Sequence, residues 1–432
     1  GYVAVWDGTS IGAGGMAAQA VGRRFDDLGN PIGAEFVLSG SYQNTINAKV
    51  AGLSDGGFVA FWKDGTGGSG SDSVSGQRYD SSGTPVGNEI SGLIPSGGRT
   101  DGPWGVEGLP DGGFIVTYSS YIETGLDPHS GSYGQRYDAN GILIGDEFKI
   151  GGSSSYTTDI AVLSDGSFVA SWYDGGDQVQ LYDQNNGPVG DVLNVGGGTP
   201  SGPAITGLSD GSFVVVYNEE VGGIIHIYGQ QFNSSGEELG GSFEISQNGI
   251  RAGGADITST PNGGFVVSYS YYNGADSSGS SVFARPYDGD GNPISDEFLV
   301  NDYTQGDQWA YGITTLANGN FAIIWQDAAG ADGDGFGVFT KIYMSSPLHV
   351  SEDGTLLVTE SQLLGTSSDI DGDVLHIENL QLGEGASGSL TLNDVAAPEG
   401  SRTWTYTPAD DFNGSVALSY EVSDGELTDT VQ

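Results

Sequence analysis

Asp369, Asp371 and Asp373 occupy alternate positions in the run Ser368-Asp-Ile-Asp-Gly-Asp373. Carboxylates at that spacing in a tight loop point at one centre. A hard Ca²⁺ ion collects about six to eight oxygens in this way. A solvated Asp-Gly turn uses the same residue types. Glu352 stands near a domain junction, where it adds a further candidate ligand. Asp288, Asp290 and Asn292 repeat the one-three-five spacing inside a turn, and Asp327, Asp332 and Asp334 gather in a second acidic loop. Both sets are candidate Ca²⁺ ligands, and both also read as plain turns. The stretch Gly67 to Ser75 fits a calcium-binding nonapeptide once. A β-roll needs stacked copies, so a flexible loop explains it better.

Residues for catalysis are harder to assemble. His129, His226, His349 and His376 are scattered, with no paired-histidine zinc motif and no Gly-x-Ser-x-Gly elbow. Glycoside hydrolysis needs two facing carboxylates. Glu219 and Glu220 are adjacent and would point to opposite sides of a strand. The expectation is therefore a protein that is not an enzyme, with carboxylate pairing between distant segments left open.

The charge narrows the partners. Against 12 Lys+Arg stand 56 Asp+Glu, a formal net charge of −44. Nucleic acid and anionic membranes both demand cationic surfaces, so neither is an expected partner. No run of about 20 apolar residues offers a membrane span. Cysteine is absent, which removes disulfides and thiolate metal sites. The first residues read as a strand without a leader, and the last stop in mid-strand, as in a piece of a larger protein.

The elements that must position these residues follow from a repeat. Leu53-Ser-Asp-Gly-Gly-Phe-Val-Ala-Phe-Trp62 returns at Leu109–Tyr118, Leu163–Trp172 and Leu208–Tyr217. Weaker copies end at Tyr269 and Trp325, and Tyr2–Trp6 is the tail of one more. After each copy comes a strand such as Gln77-Arg-Tyr-Asp80 or Gln135-Arg-Tyr-Asp138, then one such as Gly145-Asp-Glu-Phe148. Four short strands per ~50 residues is the arithmetic of a propeller blade. Asp-Gly pairs make the hairpins. The strand Phe213-Val-Val-Val-Tyr217 is apolar on both faces, as befits a strand covered on each side. Seven copies predict an all-β, seven-bladed β-propeller of four-stranded blades over residues 1–344, with six blades and a stray hairpin as the other count. The first copy lacks its leading strand and the last its outer one, so the partial ends either complete one another or mark a cut. Tyr121, Tyr271, Tyr272, Trp104 and Trp309 would either stack on sugars at the propeller mouth or pack between blades.

Residues 345–432 follow another pattern. Strands such as Val416-Ala-Leu-Ser-Tyr-Glu-Val422 alternate, and Asp-Gly turns separate them. This predicts an immunoglobulin-like β-sandwich.

Both regions carry a resemblance. The aromatic-ended strand, the acidic Gly-rich loop and the Gln-Arg-aromatic-Asp strand resemble the propeller repeats of large secreted bacterial proteins of the RTX and adhesin class. Asp302–Gln308 and Gln326–Gly335 match best, and the loop Tyr173–Gln178 is shorter than the pattern. Residues 345–432 resemble the tandem cadherin-like domains of the same proteins, through Ser351-Glu-Asp-Gly354, the Asp369–Asp373 run and Tyr420-Glu-Val-Ser-Asp-Gly425. The resemblance adds Asp424 as a Ca²⁺ ligand. It implies a non-catalytic, calcium-dependent adhesion module, secreted by a type I route or held at the bacterial surface. Its partners would be an extracellular glycan or protein and the neighbouring domains of the same chain. A structural subunit of an extracellular filament, or a propeller glycosidase or lyase, are the alternatives.

Overall fold

In the computed structural model the described residues are all except 13–14, 27–28, 39–44, 66–71, 92, 94–99, 101, 121–129, 153–155, 197–201, 273–278, 318, 329–336, 344–354, 361–362, 364–375, 383–387, 394–401, 410–417, 424–427 and 432. The chain forms two compact units, one of residues 1–27 and 31–341, the other of 28–30 and 342–432.

The described strands of the first unit make seven antiparallel sheets. The first holds β1 (Tyr2–Gly12), β2 (Gly15–Phe25) and β3 (Pro31–Val37). The second holds β4 (Thr45–Gly52), β5 (Phe58–Asp64), β6 (Ser73–Tyr79) and β7 (Pro85–Ile90). The third runs β8 (Pro103–Gly108), β9 (Phe114–Ser120), β10 (Gly131–Tyr137) and β11 (Leu143–Lys149). The fourth runs β12 (Tyr156–Val162), β13 (Phe168–Tyr173), β14 (Asp177–Tyr182) and β15 (Pro188–Gly196). The fifth runs β16 (Ala204–Gly207), β17 (Phe213–Val221), β18 (Ile224–Phe232) and β19 (Glu238–Glu244). The sixth runs β20 (Ala252–Ser259), β21 (Phe265–Tyr271), β22 (Ser281–Tyr287) and β23 (Phe298–Leu299). The last holds β24 (Gln308–Thr315), β25 (Phe321–Asp327) and β26 (Gly337–Tyr343).

Each sheet is a simple meander, and the leading strands β4, β8, β12, β16, β20 and β24 neighbour one another in that order. They line an axis, which makes the unit a β-propeller. Five sheets have four strands and the two terminal sheets three. The partial ends do not merge into one blade. They stay separate and meet side by side, where the Tyr2 hydroxyl and the Thr340 hydroxyl hydrogen-bond at 3.1 Å.

The repeated motif is consumed by blade construction. The leading Phe of each second strand stacks on the aromatic of the third, as in Phe58 on Tyr79 (4.7 Å, 11°) and Phe168 on Tyr182 (4.9 Å, 7°). The Phe of the outer strand then packs on the stacked pair of the next blade. Phe148 reaches Phe168 and Tyr182, and Phe243 reaches Phe265 and Tyr287. To get there its ring crosses the third strand of its own blade. A Cβ on Gly134 would lie 2.2 Å from the Phe148 ring. That close approach is why the strand carries Gly ahead of Gln-Arg-Tyr-Asp.

The remaining motif residues have equally local work. Gln77 Nε2 donates to the Arg78 and Val86 carbonyls (2.8 and 3.0 Å) where the register slips between β6 and β7. Gln180 repeats this against Leu181 and Val189. Arg136 Nη2 donates to Asp111 of its own Asp-Gly hairpin (2.9 Å), and Arg78 does the same to Asp55. Buried donors and acceptors are thereby satisfied across each bulge. The outer strands are mostly exposed, and bulges of this kind discourage their pairing with other chains.

The second unit contains β27 (Leu356–Thr359), β28 (His376–Leu382), β29 (Ser389–Leu392), β30 (Thr403–Thr407), β31 (Leu418–Ser423) and β32 (Thr428–Val431). They form two antiparallel sheets, β27-β30-β29 and β28-β31-β32. Val358, Ile377 and Trp404 meet in the core, flanked by Leu356, Leu380 and Leu418. Two sheets over one apolar core is a β-sandwich.

Candidate functional site

Most of the sequence-derived ligands fall on residues that are not described: Glu352, Asp369, Asp371, Asp373 and Asp424 in the second unit, and Asp332 and Asp334 in the first. Tyr121, His129 and His349 lie there too. Among the described residues, no three acidic or histidine side chains gather closely enough to share a metal ion.

The described candidates have structural partners. Asp288 Oδ1 accepts the backbone N–H groups of Asp290 (3.0 Å) and Asn292 (2.8 Å), and the Asn292 side chain donates to the same carboxylate. Asp80, Asp138 and Asp183 close the equivalent turns in the same way, and Asn233 does so without a charge. Asp327 is buried and accepts from Gln308 Nε2 (2.9 Å), which Asn301 contacts in turn. His226 contacts Glu244 at 2.7 Å, and His376 contacts Glu378 at 3.0 Å.

Chemistry concentrates instead on the axis. Lys49, Asp159 and Asp256 fall at one repeat position, four residues ahead of the residue that opens each Asp-Gly hairpin. Gly105, Ala204 and Gly312 fill that position in the other blades. Asp159 Oδ2 accepts the N–H of Ile205 on the next leading strand (2.8 Å), and Asp256 Oδ2 that of Ile313 (3.2 Å). These carboxylates therefore stitch neighbouring blades together while facing the channel. Glu107, two residues beyond the Gly105 position, joins them from the third blade.

The three acids lie deep in the unit but remain half-buried. Depth still removes much of their hydration. It pushes the Glu107 carboxyl up to about 8, with the Asp159 and Asp256 charges adding to the rise. Asp159 is pushed up to about 6 by the same loss of hydration and by Asp256, with Lys49 opposing. Asp256 is also raised by burial, and Lys49 opposes that too. Glu107 belongs to the third blade and Asp256 to the sixth, so their coupling crosses the ring.

Above these acids the leading strands bulge. The register slips just before the shared position in β4, β8, β12, β20 and β24. A bulge re-aims the side chain it carries. In β8 that residue is Trp104, half-buried, and in β24 it is Tyr311, 66% exposed. Tyr272 sits beside this end of β24, half-buried, with the Arg251 guanidinium 5.2 Å from its ring centre. Burial raises the Tyr272 hydroxyl, Arg251 opposes, and Tyr311 is near enough to add to the rise. Of the two readings open for Tyr271, packing holds, since it is fully buried. Its hydroxyl donates to Glu297 (2.8 Å) and accepts from the Asn248 N–H, because alternate residues of β21 face opposite sides and this one faces the packed blade. Trp309 is half-buried.

Sequence reasoning missed Glu107, Asp159, Asp256 and Tyr311. For Asp159 and Asp256 the signal was present as a column of the repeat in which Lys and Asp replace Gly and Ala. Nothing local marks that column as axial.

Residues 343–432 match the family model of the cadherin-like domain. The strands of the cadherin-like region are those of the sandwich described above. No curated protein matches the chain. Solved structures similar to it include a protein of unknown function from Dyadobacter fermentans, at 11% identity over 69% of this chain and 95% of that one, with a TM-score of 0.46. The Pan2 WD40 domain of Neurospora crassa is 12% identical over 71% and 81%, with a TM-score of 0.43. A GH43 endo-arabinanase from Bacillus licheniformis is 12% identical over 58% and 94%, with a TM-score of 0.30. The propeller rests on its own sheet order. Among the described residues no helix is long and apolar enough to cross a membrane.

Proposed function

We propose that the chain is a recognition module of a large secreted or cell-surface bacterial protein of the RTX-adhesin kind. The observation that carries this reading is the pairing of a cadherin-like region, residues 343–432, with a propeller whose leading strands bulge at one mouth. Propellers offer such mouths to ligands. Repeat residues such as Gln77, Arg78, Tyr79 and Asp80 are occupied in holding blades together, which leaves the mouth and its loops for partners. Calcium enters through Asp369, Asp371 and Asp373, with Glu352 and Asp424, where clustered carboxylates need a cation to fold together. The module binds without turnover. The test is adhesion of beads coated with the full chain to bacterial or host cell surfaces, with calcium and with EDTA. Adhesion that calcium supports and EDTA abolishes is expected. Beads that never adhere above uncoated controls sink the reading.

One observation favours a second reading, a glycosidase. Burial and the charges of Asp159 and Asp256 push the Glu107 carboxyl up to about 8 while Asp159 rises only to about 6, and unequal carboxyls are how an acid and a base are told apart in such enzymes. Release of reducing sugar from a polysaccharide, lost in Glu107→Gln, would favour this reading over the first.

A further inference from the structure

We infer that the channel mouth beside the sixth and seventh blades is a saccharide site, with Tyr311 as its stacking platform and a neutral sugar as its occupant. This deepens the recognition reading and rests on it. Tyr311 lies on the strand nearest the axis, yet two-thirds of it is exposed. The fold does not need an aromatic there, because the residue before the shared axial position is Ala48, Thr158 or Ala255 in other blades. The bulge between Ala310 and Gly312 turns the ring out of the sheet. Trp104 holds the same place in the third blade, across the ring.

The surroundings fit a ligand with flat apolar faces and many hydroxyls. Tyr272 packs closely on the backbone of Gly253, where a Cβ would come within 3.2 Å of its ring, so Tyr272 backs the site and Tyr311 supplies the open face. Arg251, exposed and without a carboxylate partner among the described residues, lies against Tyr272 and offers donors. Below, Asp256 accepts the N–H groups of Ile313 and Ile257, and Asp159 those of Ile205 and Ile160, which leaves each carboxylate further lone pairs for a hydroxyl. Aromatic faces supply the apolar contact that pyranose C–H groups need.

Charge decides between classes of sugar. The chain carries a formal −44, and the channel holds Asp159 and Asp256 against Lys49, with Arg251 as the cation at the mouth and Glu107 raised toward its neutral form. An anionic polysaccharide would be repelled from this mouth. A neutral sugar is not, and its hydroxyls complement the acceptors.

The experiment measures binding of the full chain to short neutral gluco-, galacto-, manno- and xylo-oligosaccharides and to matched uronate-containing chains. At least one neutral series is expected to bind, more tightly than its uronate counterpart. Tyr311→Ala should weaken that binding roughly tenfold or more, Tyr311→Phe about twofold or less, and Ile142→Ser, on the far outer edge, not at all. Melting curves check that each variant folds. Binding that survives Tyr311→Ala, binding of uronates alone, or no binding of any sugar overturns the site. Cell adhesion of coated beads separates these failures from failure of the recognition reading, because beads that still adhere leave that reading standing with another ligand.

Discussion

Tyr2 on the first sheet and Thr340 on the last share a hydrogen bond of 3.1 Å. The two residues stand at opposite ends of the repeat region, so this contact brings the terminal blades together. Tyr2 also stacks on Phe25 at 4.9 Å. Removing only the hydroxyl in Tyr2→Phe should cost about 1 kcal/mol, the net worth of one such bond. Removing the ring in Tyr2→Ala should cost about 3 kcal/mol, because stacking and burial go as well. Urea unfolding measures both. Equal, negligible costs would mean that the terminal blades do not support one another.

Gly134 and Phe148 form a second such pair. The glycine exists to let the ring pass, so Gly134→Ala should destabilise by about 3 kcal/mol through overpacking. Phe148→Ala should cost about 3 kcal/mol for a different reason, the loss of the contact with Phe168 and Tyr182. If the close approach is the cause, the double variant is much less destabilised than the sum. Additive costs would show that Gly134 is required for its backbone alone.

Asp177 breaks the repeat. It is 1% exposed, and its Oδ1 finds no hydrogen-bond partner among the described residues. The matching position holds Val74, Ile227 and Val282, with Ser132 in the third blade. Burial pushes its carboxyl up to about 7. An unfolded Asp titrates near 4, so between about pH 4 and pH 7 the native state binds the extra proton. Stability therefore falls as pH rises through that window and is lowest above it. The full penalty is roughly 2–4 kcal/mol. Asp177→Val should stabilise the propeller at pH 8 far more than at pH 4, as read from melting curves. A gain that is the same at both pH values would remove the titration argument.

These pairs also mark what a single sequence makes visible. Gln77, Arg78, Tyr79 and Asp80 act on residues within one blade or its neighbour, and their spacing announces the blade directly. The number of blades followed from counting the strands led by Phe58, Phe114 and their equivalents. Glu107 and Asp256 were invisible as partners, because they meet only when ring closure sets the third blade opposite the sixth. Tyr271 and Tyr272 carry the same two alternatives in the sequence, stacking at the mouth or packing between blades. Their faces differ only because a strand alternates, and which face is buried depends on the neighbouring blade. Asp288 looked like a ligand by spacing, and its equivalence to Asn233 shows how fully a turn can use the same pattern.

In the second unit Glu360 is fully buried, and its two oxygens accept the N–H of Ile377 (2.7 Å) and of Arg402 (2.8 Å). One carboxylate thus ties the end of β27 to the starts of β28 and β30, which belong to different sheets. Arg402 Nη1 stands 3.9 Å from the carboxylate and donates to the Ile377 carbonyl (3.1 Å). The backbone bonds are short and the ion pair is long, so the backbone bonds should carry the stability. Glu360→Ala leaves two buried N–H groups without acceptors and should cost about 3 kcal/mol or more. Arg402→Ala keeps both acceptors in place and should cost about 1 kcal/mol. Calorimetry of the full chain reads the comparison in the transition of this unit. If Arg402→Ala lowers that transition as far as Glu360→Ala does, the guanidinium is what makes burial of the charge tolerable, since an unpaired buried carboxylate is itself strongly destabilising.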